Sequence, residues 1–579
     1  MRDDGRPRVR NVILTLFLFL LVAALPLRDA LTTGGVAGSG PDITVTLWGM
    51  WWFSEEWTGP AWAGVSTLAN YPSGTVGTVL APFTSTVWAV FAALFGNSWA
   101  VTLTDLVYLT AWCATVAWLA RLSGVRWPAA IVAGALAMSG RYLVYAVGET
   151  SIVGVTALPA LMCAISLLEY RARGTRRWLA LFVVSAAALG VEYPYLVPLP
   201  PLLGALAFAE RRDRKVLAAT LLGTVVLLLA VKLAGRGQVS FGSGRTGNTV
   251  PLFGLAFPAA EDLVARATLR DMLWPKPVVW SLGGVDGTLR AGGREFVGLA
   301  LLVAAAAGAW VRRTRATPWL VVGLGGMVLA SGSDWAGFAS PFALLNSVAA
   351  QVVRALTQPT RFLVLTSAAL PIAAAHLVDH LAARPRWAAG LVGVLFVESL
   401  AFGGLSLRIP VTSLPSAPCV AALADLPRTA VVTLPWDGLS DGGASIHARE
   451  WQMLHGQAGP VFGVGSWTLV DDRIGTAVLD ELLVGPALAG NAKLEGPRLR
   501  LLGYTHLVVD MSVGGWLHAL VLHDLGPATT ECEGAAVWAL DNAPVAMVPV
   551  PLANIPSEWR ERASIRANSR VGRAGAPIQ

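Results

Sequence analysis

Long apolar runs fill most of the first 407 residues, and they settle the class of fold before any motif is considered. Crossing about 30 Å of hydrocarbon takes roughly 20 apolar residues in a helix. Runs of this kind lie at 12–27, 100–119, 128–147, 152–169, 178–191, 195–209 and 216–234, and after a gap at 296–311, 319–331, 362–381 and 388–407. They predict about eleven membrane spans with few charges inside them. Composition agrees: 55% of residues are hydrophobic and 14% charged, with mean hydropathy +0.59. A soluble domain carries about 25% charged residues, so a soluble enzyme and a disordered chain are both excluded. The net charge of +7 follows membrane topology and does not point to nucleic acid.

Basic residues cluster at 2–10, 121–126, 171–177, 211–215, 312–315 and 384–386, in alternate loops. The positive-inside rule makes those loops cytoplasmic, with the N-terminus inside and the C-terminal part outside. The first apolar run follows a basic segment, as in a cleavable signal peptide. The segment Pro26-Leu27-Arg28-Asp29 suits a retained anchor better. The expected location is a bacterial inner membrane.

The membrane unit, 1–407, is expected to carry three outer segments at 28–99, 235–295 and 332–361. The first holds two amphipathic stretches and a cluster of five tryptophans, Trp48, Trp51, Trp52, Trp57 and Trp62, and the third a helix-like run at 342–356. From 408 to 557 short buried-strand patterns such as 430–434 and 506–510 alternate with helix-like runs at 420–426, 474–488 and 516–525. That alternation predicts a small extracytoplasmic α/β domain. Residues 558–579, rich in arginine, read as a disordered tail. Cys113 and Cys163 fall in spans. Cys419 and Cys532 lie in the outer domain, where an oxidising compartment permits one bridge.

Ionisable residues at outer helix ends are the first candidates for chemistry. Asp42 precedes Trp48, Trp51 and Trp52; Glu149 and Glu192 sit at two outer turns. A carboxylate there can act as a general base toward a hydroxyl, or it can simply cap a helix at the membrane rim. The tryptophans suit a platform for sugar or lipid, or anchoring at the interface. Arg361 opens a late span after Pro359, and Arg245, Arg266 and Arg270 lie in the second outer segment. A guanidinium at headgroup depth can hold a lipid phosphate, or snorkel. The run Gly242-Ser243-Gly244-Arg245-Thr246-Gly247 lacks the strand–helix context of a nucleotide loop. His376 and His380 offer too few ligands for a metal, and His447 and His455 form no nucleophile arrangement.

These features together resemble the GT-C superfamily of polyprenyl-phosphate-dependent glycosyltransferases and the YfhO-like bacterial membrane proteins. The likeness rests on Asp42 before the Trp-rich run, Asn70-Tyr71-Pro72-Ser73-Gly74, and Pro359-Thr360-Arg361-Phe362 opening a late helix. In the outer domain it rests on Val431-Val432-Thr433-Leu434-Pro435-Trp436, His455-Gly456-Gln457 and residues 501–509. The resemblance implies a transferase that takes a sugar from a polyprenyl-phosphate carrier and passes it to a glycan, lipid or protein acceptor at the outer face. Asp42 would be the base, with Glu149 or Glu192 orienting the acceptor or a divalent cation. Arg361 and Arg245 would hold the donor phosphate, and Trp48, Trp51 and Trp52 would form an aromatic platform. Asp42 is followed by Ile43, so the paired acids of the protein O-mannosyltransferases are missing. A non-catalytic scaffold whose outer domain binds a partner is the alternative; a secondary transporter fits less well, since no internal repeat is visible.

Overall fold

The structure, a computed structural model, describes residues 9–38, 41–56, 65–66, 75–76, 81–150, 157–192, 196, 199–234, 249–252, 255–258, 268–278, 293–331, 334–335, 338–339, 359–414, 416–427, 429–434, 451–457, 499–500, 503–511 and 515–540. The membrane unit is built from α1 (Val9–Thr33), α2 (Pro41–Glu56), α3 (Pro82–Phe95), α4 (Asn97–Leu122), α5 (Trp127–Leu136), α6 (Arg141–Thr150), α7 (Leu158–Arg173), α8 (Arg176–Glu192), α9 (Leu199–Arg211) and α10 (Arg214–Ala234). The short α11 (Leu269–Leu273) precedes α12 (Leu299–Val311), α13 (Arg313–Ala330), α14 (Leu363–Leu381) and α15 (Pro385–Ala401).

Among the described residues, most of each of the eleven apolar runs falls on a helix or a helix pair. Among the described residues three helical stretches are long and apolar enough to cross a bilayer alone, Arg10–Thr33, Asn97–Leu122 and Thr360–Leu381. Taken as one broken span, the pair Trp127–Leu136 and Arg141–Gly148, bent by 49°, makes a fourth. The other runs coincide with helices of 13 to 21 residues. Large apolar side chains remain exposed along their outer faces, among them Phe17, Leu21, Leu221, Val225, Val394 and Val397. A water-soluble surface does not carry such continuous apolar faces; a surface against lipid does.

Small residues let the helices approach closely, as membrane bundles require. A methyl group on Gly308 of α12 would collide with the Ala373 carbonyl of α14. One on Gly326 of α13 would come 2.8 Å from the Phe362 carbonyl. Polar contacts define the two ends of the bundle. At one end the Arg126 Nε–H donates to Asp379 Oδ1 at 2.6 Å, and Ser123 Oγ lies 3.0 Å from His376 Nε2. His376 and Asp379 thus serve packing there, and Arg315 stands against Gly124 at the same end. At the other end β1 (Val36–Ala37) pairs antiparallel with β8 (Val411–Thr412), and the Ile409 N–H donates to the Pro26 carbonyl at 3.0 Å. The segment entering the last domain is therefore stitched to the end of α1.

The third apolar run was expected as one continuous helix and is instead broken at 137–140. Backbone groups freed inside a membrane need new partners. Here the Gly404 N–H donates to the Ser139 carbonyl at 2.8 Å, and the Arg141 N–H to the Phe296 carbonyl at 2.9 Å.

Among the described residues three short antiparallel pairs lie in the segments expected outside: β2–β3 (Val65–Ser66, Thr75–Val76), β4–β5 (Thr249–Leu252, Leu255–Pro258) and β6–β7 (Asp334–Trp335, Phe338–Ala339). The helix-like run at 342–356 and the one at 474–488 lie outside the described residues, as does the tail. In the last domain β9 (Val431–Leu434), β10 (His506–Asp510), β11 (Thr530–Cys532) and β12 (Ala535–Ala539) form one sheet in the order β11-β12-β10-β9. Strands β9 and β10 run parallel, and β12 is antiparallel to both its neighbours. Helix Gly515–Leu525 accompanies the sheet, and Pro418–Ala421 is tied to β11 by the Cys419–Cys532 disulfide.

Candidate functional site

Gly38 follows β1 at φ +125°, a conformation that side chains other than hydrogen resist. It lets the chain pass so close to α6 that a Cβ at Gly38 would lie 2.7 Å from the Gly148 carbonyl and overlap the Ile43 side chain. The first turn of α2 is thereby laid against the last turn of α6. Asp42 precedes Ile43 in that first turn, and Glu149 follows Gly148 in that last turn. Two of the three acids singled out in the sequence thus sit on adjoining turns. Their side chains are outside the described positions.

Glu192, the last residue of α8, is described in full. Its Oε1 accepts the Phe83 N–H at 2.7 Å, and its Oε2 accepts the Thr84 hydroxyl at 2.7 Å. The carboxylate therefore caps the start of α3, satisfying a donor that the helix cannot satisfy itself. Tyr108 Oη lies 2.9 Å from Thr84 Oγ1. Thr84 has one proton and gives it to Glu192, so Tyr108 is the donor of that pair. Glu398 does the same work elsewhere, accepting the Ala300 and Leu301 N–H groups at the start of α12.

Arg361 stands in the 3₁₀ turn Pro359–Phe362 that opens α14. Arg245 and Arg266 lie outside the described residues, and Arg270 is exposed on α11. Trp48, Trp51 and Trp52 are 2%, 4% and 6% exposed. Trp48 stacks on Trp52 with centroids 6.4 Å apart, and its Nε1–H donates to Gln452 Oε1 at 2.7 Å. The three rings are packed inside the protein, and through Trp48 they join α2 to the last domain.

Arg141 and Asp105 are among the buried ionisable residues that were not anticipated. Arg141, 6% exposed, lies at the break in the third span. Its Nε donates to the Phe402 carbonyl at 2.6 Å, and its Nη1 donates to the carbonyls of Lys276 and, at 3.1 Å, Gly293. It also lies over the Phe296 ring, so one cation fastens the residues around Lys276 and Gly293 to the bundle. Asp105 of α4 is 0% exposed, and neither carboxylate oxygen has a hydrogen-bond partner among the described residues. A lone charge inside an apolar run is the signal that marks both. Among the described residues no three His, Cys, Asp or Glu side chains gather as a metal site.

No protein-family model and no curated protein matches the chain. Among solved structures, the cryo-EM structure of the arabinofuranosyltransferase AftD from Mycobacteria is similar at TM-score 0.55 and 17% identity. The likeness covers 94% of this chain and 42% of that one, so this chain spans less than half the length of the mycobacterial protein. Two more distant likenesses, on which nothing further rests, are an oligosaccharyltransferase from Archaeoglobus fulgidus and ArnT from Cupriavidus metallidurans bound to undecaprenyl phosphate. The first has TM-score 0.43 and 10% identity over 88% of this chain and 69% of that one. The second has TM-score 0.40 and 13% identity over 93% and 99%. None of them bears on the YfhO-like part of the resemblance. The chain shares its fold with the matching part of that arabinofuranosyltransferase, here a many-helix membrane unit followed by a small domain built on a mixed sheet.

Proposed function

We propose that the protein is an integral-membrane glycosyltransferase, moving a sugar from a polyprenyl-phosphate carrier to an acceptor at the outer face of a bacterial inner membrane. The observation that carries this reading is the corner where α2 meets α6, since it sets Asp42 and Glu149 on adjoining turns. An outer-face enzyme has no nucleotide sugars to draw on, which favours a lipid-borne donor. The N-terminus is inside and the last domain outside, in keeping with the basic residues at the opposite end of the bundle.

Asp42 takes the proton of an acceptor hydroxyl as that oxygen attacks the anomeric carbon. The bond from this carbon to the carrier phosphate breaks, and the phosphate departs with the bonding electrons. Attack from the face opposite the leaving group inverts the anomeric carbon. Arg361, with Arg245, offers donors to the departing phosphate. Glu149 orients the acceptor, or a divalent cation where one is used. Glu192 acts through α3, by holding the Thr84 turn in place. The acceptor is a glycan, lipid or protein.

The test is transfer by purified protein in nanodiscs, with a panel of polyprenyl-phosphate sugars and envelope acceptors. Asp42→Asn should insert and melt as wild type while losing roughly 10²–10⁴-fold in rate. Full activity in that variant would remove Asp42 as the base. Absence of transfer by the wild type across the panel would leave the non-catalytic scaffold as the reading.

A further inference from the structure

The motif His455-Gly456-Gln457 has no part in the proposed chemistry, yet its side chains are almost wholly buried. They belong to a line of hydrogen bonds that starts on the helix carrying Asp42. Trp48 lies on α2, six positions after Asp42. Its indole N–H donates to Gln452 Oε1 at 2.7 Å. Indole nitrogen is only a donor, so the Gln452 amide must turn its oxygen this way. The Gln452 Nε2 group then donates to the Gln457 carbonyl at 3.1 Å. The Gln457 Nε2 group donates to the Leu423 carbonyl at 2.8 Å, and Gln457 Oε1 accepts the Thr429 N–H at 2.8 Å. Thr429 leads directly into β9, whose first carbonyl neighbour, that of Ala430, accepts the Thr505 N–H ahead of β10. The line therefore runs from α2 into the sheet of the last domain, and Gln452 at 1% exposure lies at its centre.

Apolar contacts alone leave a helix free to rotate by small amounts, because they have no preferred direction. A directed bond from Trp48 does not. At about 100° per residue, the position six residues earlier lies about 9 Å along the axis and is turned by a fixed angle relative to Trp48. Whatever sets the azimuth of Trp48 sets that of Asp42. We infer that Gln452 and Gln457 are positioning residues, through which the last domain fixes the rotation of α2 and so the aim of Asp42. This rests on Asp42 being the base. On it, the last domain is part of the catalytic apparatus and not an independent acceptor-binding appendage.

The experiment is hydrogen exchange of the full-length protein in nanodiscs, with Trp48→Phe, Gln452→Met and the double variant, alongside transfer kinetics. Leaving a buried donor without its acceptor shifts local opening by about tenfold or more. Each single variant should speed exchange in 41–56 about tenfold, while β10 and β12 keep wild-type protection. In 41–56 the double variant should add nothing to Gln452→Met, since both changes break the Trp48–Gln452 bond that reaches α2 and the other bond lost, to the Gln457 carbonyl, lies within the last domain. Transfer should fall in kcat with KM for the donor retained. Unchanged exchange in 41–56 would overturn the inference, and so would equal loosening of β10 and β12, which marks a plain folding role. If the exchange pattern holds but Asp42→Asn transfers normally, the brace stands and the catalytic assignment fails. If Asp42→Asn is inactive but 41–56 is indifferent to Gln452, the assignment stands and the brace fails.

Discussion

Removing the Cys419–Cys532 bridge should loosen the last domain by an amount its topology sets. The bridge closes a loop of 113 residues, and the chain-entropy relation for such a loop gives about 5 kcal/mol at 25 °C. It joins the first helical turn of the domain to the β11–β12 hairpin, beside Val420, Val431 and Val537 in one core. Cys419→Ala with Cys532→Ala removes the link without placing a hydroxyl in that core. A loss of about 5 kcal/mol multiplies the open population by roughly 10³–10⁴. Pulse proteolysis read at the last domain should report it, with wild type under reductant behaving like the double variant. The bridge also carries a claim about orientation, because such bonds persist in oxidising compartments and not in the cytosol. Alkylation of intact cells before lysis should leave these two thiols unlabelled. Trapped free thiols would refute the outer placement, and a stability change below about 1 kcal/mol would refute the energetic argument.

Other consequences follow from packing and charge. Gly308→Ala should lower the melting temperature in detergent, at a cost of about 1–3 kcal/mol from forcing α12 away from α14; Gly325→Ala, with open space around it, should change nothing. Arg141→Ala should cost about 3–5 kcal/mol, since three carbonyls lose a charged donor. Arg141→Lys should not restore it, lacking the planar fork. His455, 2% exposed, accepts the Gln457 N–H through Nδ1. Burial, with His506 nearby, lowers its pKa from 6.5 to about 3. The unfolded chain then binds more protons between those values, so stability is complete above pH 6.5 and falls as pH drops toward 3. At pH 4.5 the loss should be about 3 kcal/mol, measured as a shift in the proteolysis midpoint and abolished in large part by His455→Gln.

The spans were legible because apolar runs of bilayer length have few other uses, and β9 and β10 because short runs of valine and leucine bounded by turns read as buried strands. The break at 137–140 was hidden: Gly140 and Arg141 interrupt the run too briefly to lower its apolar character, although the lone arginine was a usable sign. The hairpin β11–β12 was missed because alanines and exposed acids such as Glu531 show no strand alternation; only Gly534, at φ +79°, marks its turn. Glu192 was readable as an acid at an outer turn, and its helix-capping use was the plainer of the two readings offered. The joint through Gln452 could not be found from sequence, since a glutamine acquires direction only from the groups folded around it. Trp48 shows the converse, where a residue type common at interfaces is spent inside the protein.

The central claim places Asp42 and a carrier phosphate in one outer cavity, and a structure in nanodiscs containing a polyprenyl phosphate tests it directly. The account predicts the phosphate against Arg361 at headgroup depth, with the Asp42 carboxylate lining the same cavity. A phosphate bound elsewhere, with Asp42 facing bulk water and Arg361 facing lipid chains, would contradict it.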